Sequence, residues 1–410
     1  RQGQRYYAVN VLRELDRPGE WYLERPRGLL YWCPPEGEEW RGAAAAVSVF
    51  AQPFIRMENV RHAILRGLAM EHGRGDGIHL RGGARCILAG CTVRRMGGDA
   101  IVVVGGAEHT VFGCTLHTLG CGGARVAGGD RKTFAPGGHL VENCTVRDIS
   151  RLKRTYAPAV HLDGCGNRVA HNLFERIPSS ALRVEGSEQT IELNLIRRVV
   201  EESDDQGGLD MYGNPLYRGV VIRWNRWSDI AGGTQCGAAG VRLDDMISGV
   251  VVHGNIFERC GAVQFGGVQI HGGKDNLVDN NVFLDCRAGL SFSRWGEKRW
   301  LEAIQKDLEE AVCPANAARY GELARLREGA DVNFVTRNVF AGCKDVFLRD
   351  GGAARAAFNT VIEGSFDLGV VESREAIAAD PRLAPLLFAP IPAGAIGPYA
   401  HPWRAEGSGE

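Results

Sequence analysis

The sequence lacks the features that would place it in several large classes. No apolar stretch among its 410 residues reaches the ~18 consecutive positions that a membrane-spanning helix requires. The amino end, RQGQRYYAVN, carries neither an initiator Met nor the apolar core of a leader. Neither a transmembrane segment nor a signal peptide is therefore expected. Net charge is missing as well: 48 Lys+Arg stand against 49 Asp+Glu, a formal charge of −1. No general field then draws the chain to nucleic acid or to an anionic membrane surface. The 12 cysteines are too dilute for a disulfide scaffold, and none forms a CxxC pair of zinc or redox type. No His/Cys/Asp set has zinc spacing and no EF-hand loop occurs, so neither a metal nor another cofactor is expected.

What is present is glycine and a repeat. The 55 glycines make up about 13% of the chain against a usual ~7%. Between Arg61 and Ile362 a short motif recurs: an apolar run, a small or polar residue, one Cys or Asn, then another apolar run, as in ILAGCTV, RVAHNLF and NFVTRNVF. Alignment places Leu68, Cys91, Cys114, Cys144, Asn172, Asn194, Asn225, Asn255, Asn281, Asn338 and Asn359 in one column. Successive steps run from 21 to 31 residues, with one of 57. A period a little above 20 residues describes the coil of a right-handed parallel β-helix, an all-β solenoid whose strands stack ~4.8 Å apart. Asn at equivalent turns can hydrogen-bond the turn backbone and its stacked neighbours, and it tolerates the left-handed conformation such turns often need. The column therefore reads as a structural ladder. A second column, Cys260, Cys286 and Cys343, reads as buried thiols. The sequon Asn143-Cys144-Thr145 falls on the ladder turn and is discounted as a glycosylation site.

Residues 1–58 do not carry the repeat and read as a β-rich N-terminal appendage. The β-helix is expected over 59–410. A charged helical insertion interrupts it at 294–331, where Trp300, Ile304, Leu308 and Val312 recur at four-residue steps and Pro314 ends the run. A second short helix is expected over 317–327. The Pro- and Ala-rich segment 378–410 reads as a C-terminal cap that blocks strand addition at the end of the stack.

Each coil also holds a second strand, from GIHLRG at 77–82 to GLSFSR at 289–294. Apolar residues take alternate positions and must face inward, so the residues between them face out. The first outward column reads His79, Val102, Arg125, His161, Arg183, Asp210, Arg242, Gln269, Ser291, and the next Arg81, Val104, Ala127, Asp163, Glu185, Tyr212, Asp244, His271, Ser293. From the His161 coil to the His271 coil this stripe is almost wholly polar or ionisable. The long loops at 145–158 and 197–208 would wall it into a cleft, with Asp130 lining its upper end.

A linear row of charges suits an extended polymer, and a pair of carboxyl groups is what glycosidic cleavage needs. Asp210, between Arg183 and Arg242, is expected to be ionised and to act as nucleophile or base. Asp244 and Asp245 adjoin in sequence, so one of them can be held protonated by the other and act as general acid. The diagonal from Asp210 to Asp244 comes to roughly 8 Å, within the ~6.5–9.5 Å range of an inverting pair. Asp204 or Asp205, in the loop entering the Asp210 strand, could replace Asp210 in that pair. His161, Asp163, Arg183, Glu185, Tyr212, Arg242, Gln269, His271, Arg125 and Asp130 are the expected substrate contacts.

Several of these segments together carry a family resemblance: LDRPGEWYLERPRGLLYWCPP (15–35), GRGDGIHLRGG (73–83), ESDDQGGLDMYGNP (202–215), GVRLDDMISG (240–249) and VQIHGGKDN (268–276). In these the chain resembles the right-handed β-helix glycosidases of glycoside hydrolase family 141 and their uncharacterised relatives. The resemblance implies hydrolysis of α-L-fucosidic or xylan-type linkages in plant or marine polysaccharides without a redox cofactor. It implies a catalytic pair of aspartates, one from SDDQGG (Asp204 or Asp205) and one from RLDD (Asp244 or Asp245). Such enzymes carry further chain ahead of LDRPGEWYL, so the appendage is expected to be incomplete here.

Two other readings compete. A β-helix polysaccharide lyase would use Arg242 or Lys274 as base, with Ca²⁺ held by an acidic cluster such as Asp204 and Asp205 neutralising a uronate. A non-catalytic carbohydrate-binding β-helix would rely on exposed aromatics, for which Trp295, Trp300 and Tyr212 are the candidates. All three readings expect a carbohydrate partner, no nucleic acid and no membrane insertion. Polysaccharide-degrading β-helices are usually exported, which makes a secreted or periplasmic location the expectation.

Overall fold

The computed structural model describes residues 8–37, 42 and 44–405. The chain divides into two compact units, Arg1–Val47 and Ser48–Glu410. The described part of the first contains one antiparallel hairpin, Trp21–Glu24 against Leu29–Trp32. The second is a parallel β-helix built of three long sheets of 12, 11 and 11 strands. Each coil contributes one strand to each sheet in turn. The strand Ile55–Glu58, assigned to the appendage on sequence grounds, pairs in parallel with Ile78–Arg81 and begins the 12-stranded sheet. The helix therefore starts before residue 59. Its first pattern-bearing turn lacks the Cys or Asn that marks later coils, so the repeat is weakest where it begins.

Most strands of the two shorter sheets are only three to five residues long, because a tight turn must bend the chain between them. At that turn the left-handed residue is the one preceding the ladder column: Gly67, Gly90, Gly113, Asn143, His171, Leu193, Trp224, Gly254, Asn280, Arg337 and Phe358 all have φ between 52° and 67°. The ladder Asn itself is not left-handed, contrary to one role expected for it. Its side chain instead supplies hydrogen bonds. Asn225 Nδ2 donates to the Ile191 carbonyl and to Asn255 Oδ1, each at 3.0 Å, and the Asn225 backbone N–H donates to the same oxygen. The chemistry repeats from Asn172 to Asn359. Because these turns are sealed from water, each amide replaces hydration that the backbone groups have lost. A second ladder passed unnoticed in the sequence: His109, His139, Asn167 and Gln189, then Asn276 and Asn333, accept from the backbone of the preceding coil in the same manner. Its members differ in residue type, which hid the period.

Inside the coil, Trp227, Phe257, Phe283 and Phe340 stack face to face with centroids 4.8 to 6.0 Å apart. All 12 cysteines are free thiols. Those of Cys260, Cys286 and Cys343 donate to carbonyls of the preceding coil.

Two segments lie outside the coils. The insertion folds as Gly296–Ala303, Leu308–Ala311 and Pro314–Arg319 with short 3-10 turns between and after them. Pro314 opens the last of these helices rather than merely ending a run, since at the first helical position its missing N–H costs nothing. Trp300 and Ile304 are buried, but Val312 is exposed, so the four-residue period holds only for its first turns. The C-terminal segment is a strap rather than an end cap. After the helix Arg374–Ala379 it runs back along the ladder corner, bonding Ala389 to Asn280, Gly397 to Leu193, Tyr399 to Asn143 and Ala405 to Gly113. Tyr399 engages both polar atoms of the Asn143 side chain, which occupies the sequon.

Candidate functional site

The 12-stranded sheet carries the polar stripe, and its register follows the sequence alignment. Arg125, His161, Arg183, Asp210, Arg242, Gln269 and Ser291 sit opposite one another on successive strands. Tyr212 pairs with Asp244 in the neighbouring row. Inward positions of the same strands, such as Leu209, Met211, Val241 and Leu243, are fully buried in the core. A period of two places every second side chain outside, so the core specifies the site's spacing.

The centre of the stripe is Arg242. Its guanidinium lies 2.8 Å from Asp205 Oδ1, 2.8 Å from Asp244 Oδ2 and 3.3 Å from Asp210 Oδ1. Burial works against its charged form, but Asp210, Asp244 and Asp205 outweigh that and raise its pKa. Arg183 binds Asp210 from the other side at 2.9 Å and Glu185 at 3.0 Å. The neighbouring His161, then Arg183, hold the Glu185 carboxyl down to about 2 against the effect of burial. His271 Nδ1 lies 2.8 Å from Asp244 and 3.3 Å from Asp245.

The four central acids are not equivalent. Asp210 is 2% exposed, and burial pushes its carboxyl up to about 6 despite the two arginines. The expectation of a freely ionised, accessible Asp210 is thereby corrected: the cost of desolvation exceeds the pull of its partners. Asp210 and Asp244 are joint partners of one guanidinium rather than carboxyls facing each other across a water. The Asp205 side chain is 49% exposed, and that of Asp245 is 26% exposed. Burial, then the neighbouring Asp244 charge, raises the pKa of Asp245. Asp245 and Met246 are consecutive non-glycine residues with φ of 38° and 70°. Strain of this kind, on the order of 1–3 kcal/mol per residue, persists only where surrounding structure enforces it.

Other expected site residues fall elsewhere. Asp204 is committed to the loop at 233–237, accepting from the backbone N–H groups of Gln235, Cys236 and Gly237. It holds that loop and does not face the groove with Asp205. Gln269 is 1% exposed and bonded to Ser291 and Ser293, so it is closed off from substrate, while His271 on the same strand stays partly exposed. Asp130 caps a hairpin turn, accepting from Lys132 N–H and Thr133 Oγ1, which absorbs its carboxylate. Lys274 lies beneath the insertion, its ammonium donating to the Arg325 and Glu328 carbonyls. Trp300 is fully buried and donates to the Leu326 carbonyl, so it offers no stacking surface. Tyr212 is half exposed, under the Arg183 guanidinium. Trp295 packs edge-on to His271 and beneath Arg299.

Two walls flank the stripe. On one side Arg154 pairs with Glu202, and Thr155 bonds Ser203 and Gln206, joining the loops that precede the strands Val160–Gly164 and Gln206–Tyr212 across the one between them. On the other side the helical insertion is tied down by Arg218 to Glu322, Arg319 to Glu188 and Arg131 to Glu310. One metal-ligand geometry is present among the described residues: Asp244, Asp245 and His271 offer ligand atoms within 4.8 Å of one another. Asp244 and His271 adjoin in the outward column on neighbouring strands, but a spacing of one whole coil matches no metal motif in the sequence. These groups could hold a divalent ion, although the Arg242 guanidinium already supplies positive charge to Asp244.

Comparison with known proteins agrees on the architecture. No helix among the described residues is long and apolar enough to cross a membrane. No curated protein matches the sequence. Solved structures of similar shape include a glycoside hydrolase (13% identical, covering 70% of this chain and 56% of its own, TM-score 0.45). They also include a tailspike protein double mutant of E. coli bacteriophage HK620 in complex with a pentasaccharide (10% identical, 78% and 58%, TM-score 0.47). A third is the alginate lyase AlyF-OU02 in complex with G6 (12% identical, 83% and 90%, TM-score 0.41). The chain thus spans less than two thirds of the length of the first two. Residues 158–303, the coils that hold the Arg242 cluster, match the family model described as the right handed beta helix region, and the fold is an all-β right-handed parallel β-helix.

Proposed function

We propose that the protein is a glycoside hydrolase that cleaves a polysaccharide or oligosaccharide, with α-L-fucosidic and xylan-type linkages as the first candidates. The observation that carries this reading is the pair of solvent-open carboxyls, Asp205 and Asp245, flanking the buried Arg242–Asp244 ion pair in opposite electrostatic settings. Asp205 is half exposed and rests against the Arg242 guanidinium at 2.8 Å, a placement that suits a base or nucleophile. Asp245 is raised by burial and by Asp244, which suits an acid that must carry a proton to the leaving oxygen. Asp244 and Asp210 then act as positioning residues that fix Arg242, and Asp244 also orients His271. Tyr212, His161, Glu185 and Arg183 line the groove on either side of this centre.

A lyase reading is less well supported, because neither of its candidate bases can serve. Arg242 is locked among three carboxylates with a raised pKa, and Lys274 is buried under the insertion away from the groove. A purely binding groove would not require two open carboxyls, one against a guanidinium and one beside another carboxylate.

The test is reducing-sugar release, with parallel ultraviolet absorbance, from plant and algal polysaccharides and aryl glycosides. Asp205→Asn, Asp245→Asn and Asp244→Asn are compared with the parent. New reducing ends without absorbance, lowered ~10²–10⁴-fold in Asp245→Asn, support a hydrolase using that acid. A gain in absorbance would mark an unsaturated product and a lyase. Retention of polymer without turnover in any variant would leave only a binding module.

A further inference from the structure

A second cavity lies on the same face, toward the amino-terminal coils. It has a volume of about 180 Å³, room for one sugar ring, and is lined by Asp99, Arg125, Lys153, Tyr156 and His161 among others. Arg125 stands three strands from Asp210 in the same outward column, roughly 14 Å away at ~4.8 Å per strand. That is the reach of a few linked sugars from the centre where cleavage is proposed.

The charges around this cavity are unbalanced. Lys153 and Arg125 enter no ion pair among the described residues, although the neighbouring Arg154 is held by Glu202. His161 Nε2 is buried without a hydrogen-bond partner and lies 3.7 Å from Glu185. The only carboxyl on the lining is Asp99, which accepts from the Gly122 N–H at 2.7 Å and attracts both Lys153 and Arg125 without reaching ion-pair distance, so two cations face one acid. Tyr156, 58% exposed, offers a ring face at the cavity's rim. Two cations outside any ion pair and one open aromatic ring make a site for a sugar that carries an anionic substituent: charge-assisted bonds to the anion and stacking of the ring's apolar face.

We propose that this cavity is a distal subsite recognising a charged sugar, carboxylate- or sulfate-bearing, so that the preferred substrate is an acidic polysaccharide. The inference rests on the carbohydrate-groove reading above but not on the identity of the catalytic pair. Binding is measured on the full chain carrying Asp205→Asn and Asp245→Asn, and each probe is recovered and checked for intact length, so that turnover by any other residue is seen. The probes are oligogalacturonate, oligoalginate and glucuronoxylan oligosaccharides with their carboxyl-reduced counterparts, and κ-carrageenan oligosaccharides with their desulfated counterparts. At least one acidic probe is expected to bind ten-fold or more tightly than its neutral counterpart. Arg125→Ala with Lys153→Ala should erase that preference, and Tyr156→Ala should weaken acidic and neutral forms alike. The carboxylate and sulfate arms identify which anion is read. Equal binding of charged and neutral forms, no binding of any probe, or a preference that survives the double substitution overturns the proposal. Hydrolysis of neutral substrates by the parent chain would still uphold the hydrolase reading in each of those cases. All three substituted side chains are exposed, so loss of fold does not confound the comparison.

Discussion

At the scale of single residues, the proposed reading divides the acids of the stripe into the open pair, Asp205 and Asp245, and the buried pair that fixes Arg242, Asp210 and Asp244. Asp245 must be protonated to act, and its pKa is raised, so activity should fall as pH rises through a value above the ordinary carboxylate range. The alkaline limb of kcat/KM in a pH–rate profile should therefore lie above that range and disappear in Asp245→Asn. Asp210 gives a prediction about stability instead. Its folded pKa of about 6 exceeds the unfolded value, so the folded state holds this proton more tightly. Stability from this group is full below the unfolded pKa and lost as pH rises to about 6. Asp210→Asn, which cannot ionise, should gain relative to the parent between pH 4 and pH 7, by on the order of 3 kcal/mol at most. Thermal melts of both proteins across that interval test this, and a difference that does not change with pH would refute it. Alternation alone located the outward residues, including Arg242 and its neighbours. What alternation could not reveal was commitment: Asp204 and Asp205 are adjacent and chemically identical, yet one clamps a loop through three backbone N–H groups and the other meets Arg242. That division depends on the left-handed backbone at Asp205, which no periodicity encodes.

At the scale of elements, the ladders and the insertion hold the groove in shape. Asn255 is buried and serves both adjoining coils, accepting from Asn225 and donating to Asn281 and to the Ile222 carbonyl. Asn255→Ala leaves buried backbone and amide groups without partners, at about 1–3 kcal/mol each. Denaturant unfolding should show a loss of that order, whereas Asn359→Ala, at the half-buried end of the ladder, should cost less. The insertion is held by a separate apolar cluster in which Trp300, Ile304, Leu323 and Leu326 pack on Leu216 and Met246. Met246 follows Asp245, so this packing helps enforce the left-handed pair that aims the acid. Trp300→Ala should cost about 3–5 kcal/mol of local stability. It should also lower kcat more than KM is raised, because a displaced Asp245 no longer meets its target. Faster hydrogen exchange confined to 296–331 would accompany it. The coil strands were legible in the sequence because core burial imposes a strict period. The insertion was legible only as helical, since its tertiary partners come from coils as far back as Leu216 and Arg131.

At the scale of the whole molecule, the strap shows how the solenoid divides its corners between stability and function. The stripe occupies the 12-stranded sheet, while residues 389–405 run along the corner between the other two sheets. There the left-handed turn residues leave carbonyls and N–H groups pointing outward, and the strap satisfies several of them: Leu193 O, Gly113 O and both polar atoms of Asn143 and Asn280. It also covers apolar surface, since Ile391 joins Leu383, Leu386 and Phe388 in a cluster against the third sheet. The Pro- and Ala-rich composition was read as an end cap because a Pro-rich tail suits any unpaired edge. Its contacts reach back almost 300 residues, which composition cannot convey. A chain ending at Leu387 is therefore expected to keep the polar stripe unchanged but to melt at lower temperature and to associate through the uncovered corner. Activity per folded molecule at a temperature well below the transition should stay within about two-fold of the parent, since a site separated from the deletion by the coil's interior behaves additively with it. A truncated protein that is well folded by circular dichroism but inactive would show instead that the strap holds the coil spacing on which the Asp205–Arg242–Asp245 geometry depends.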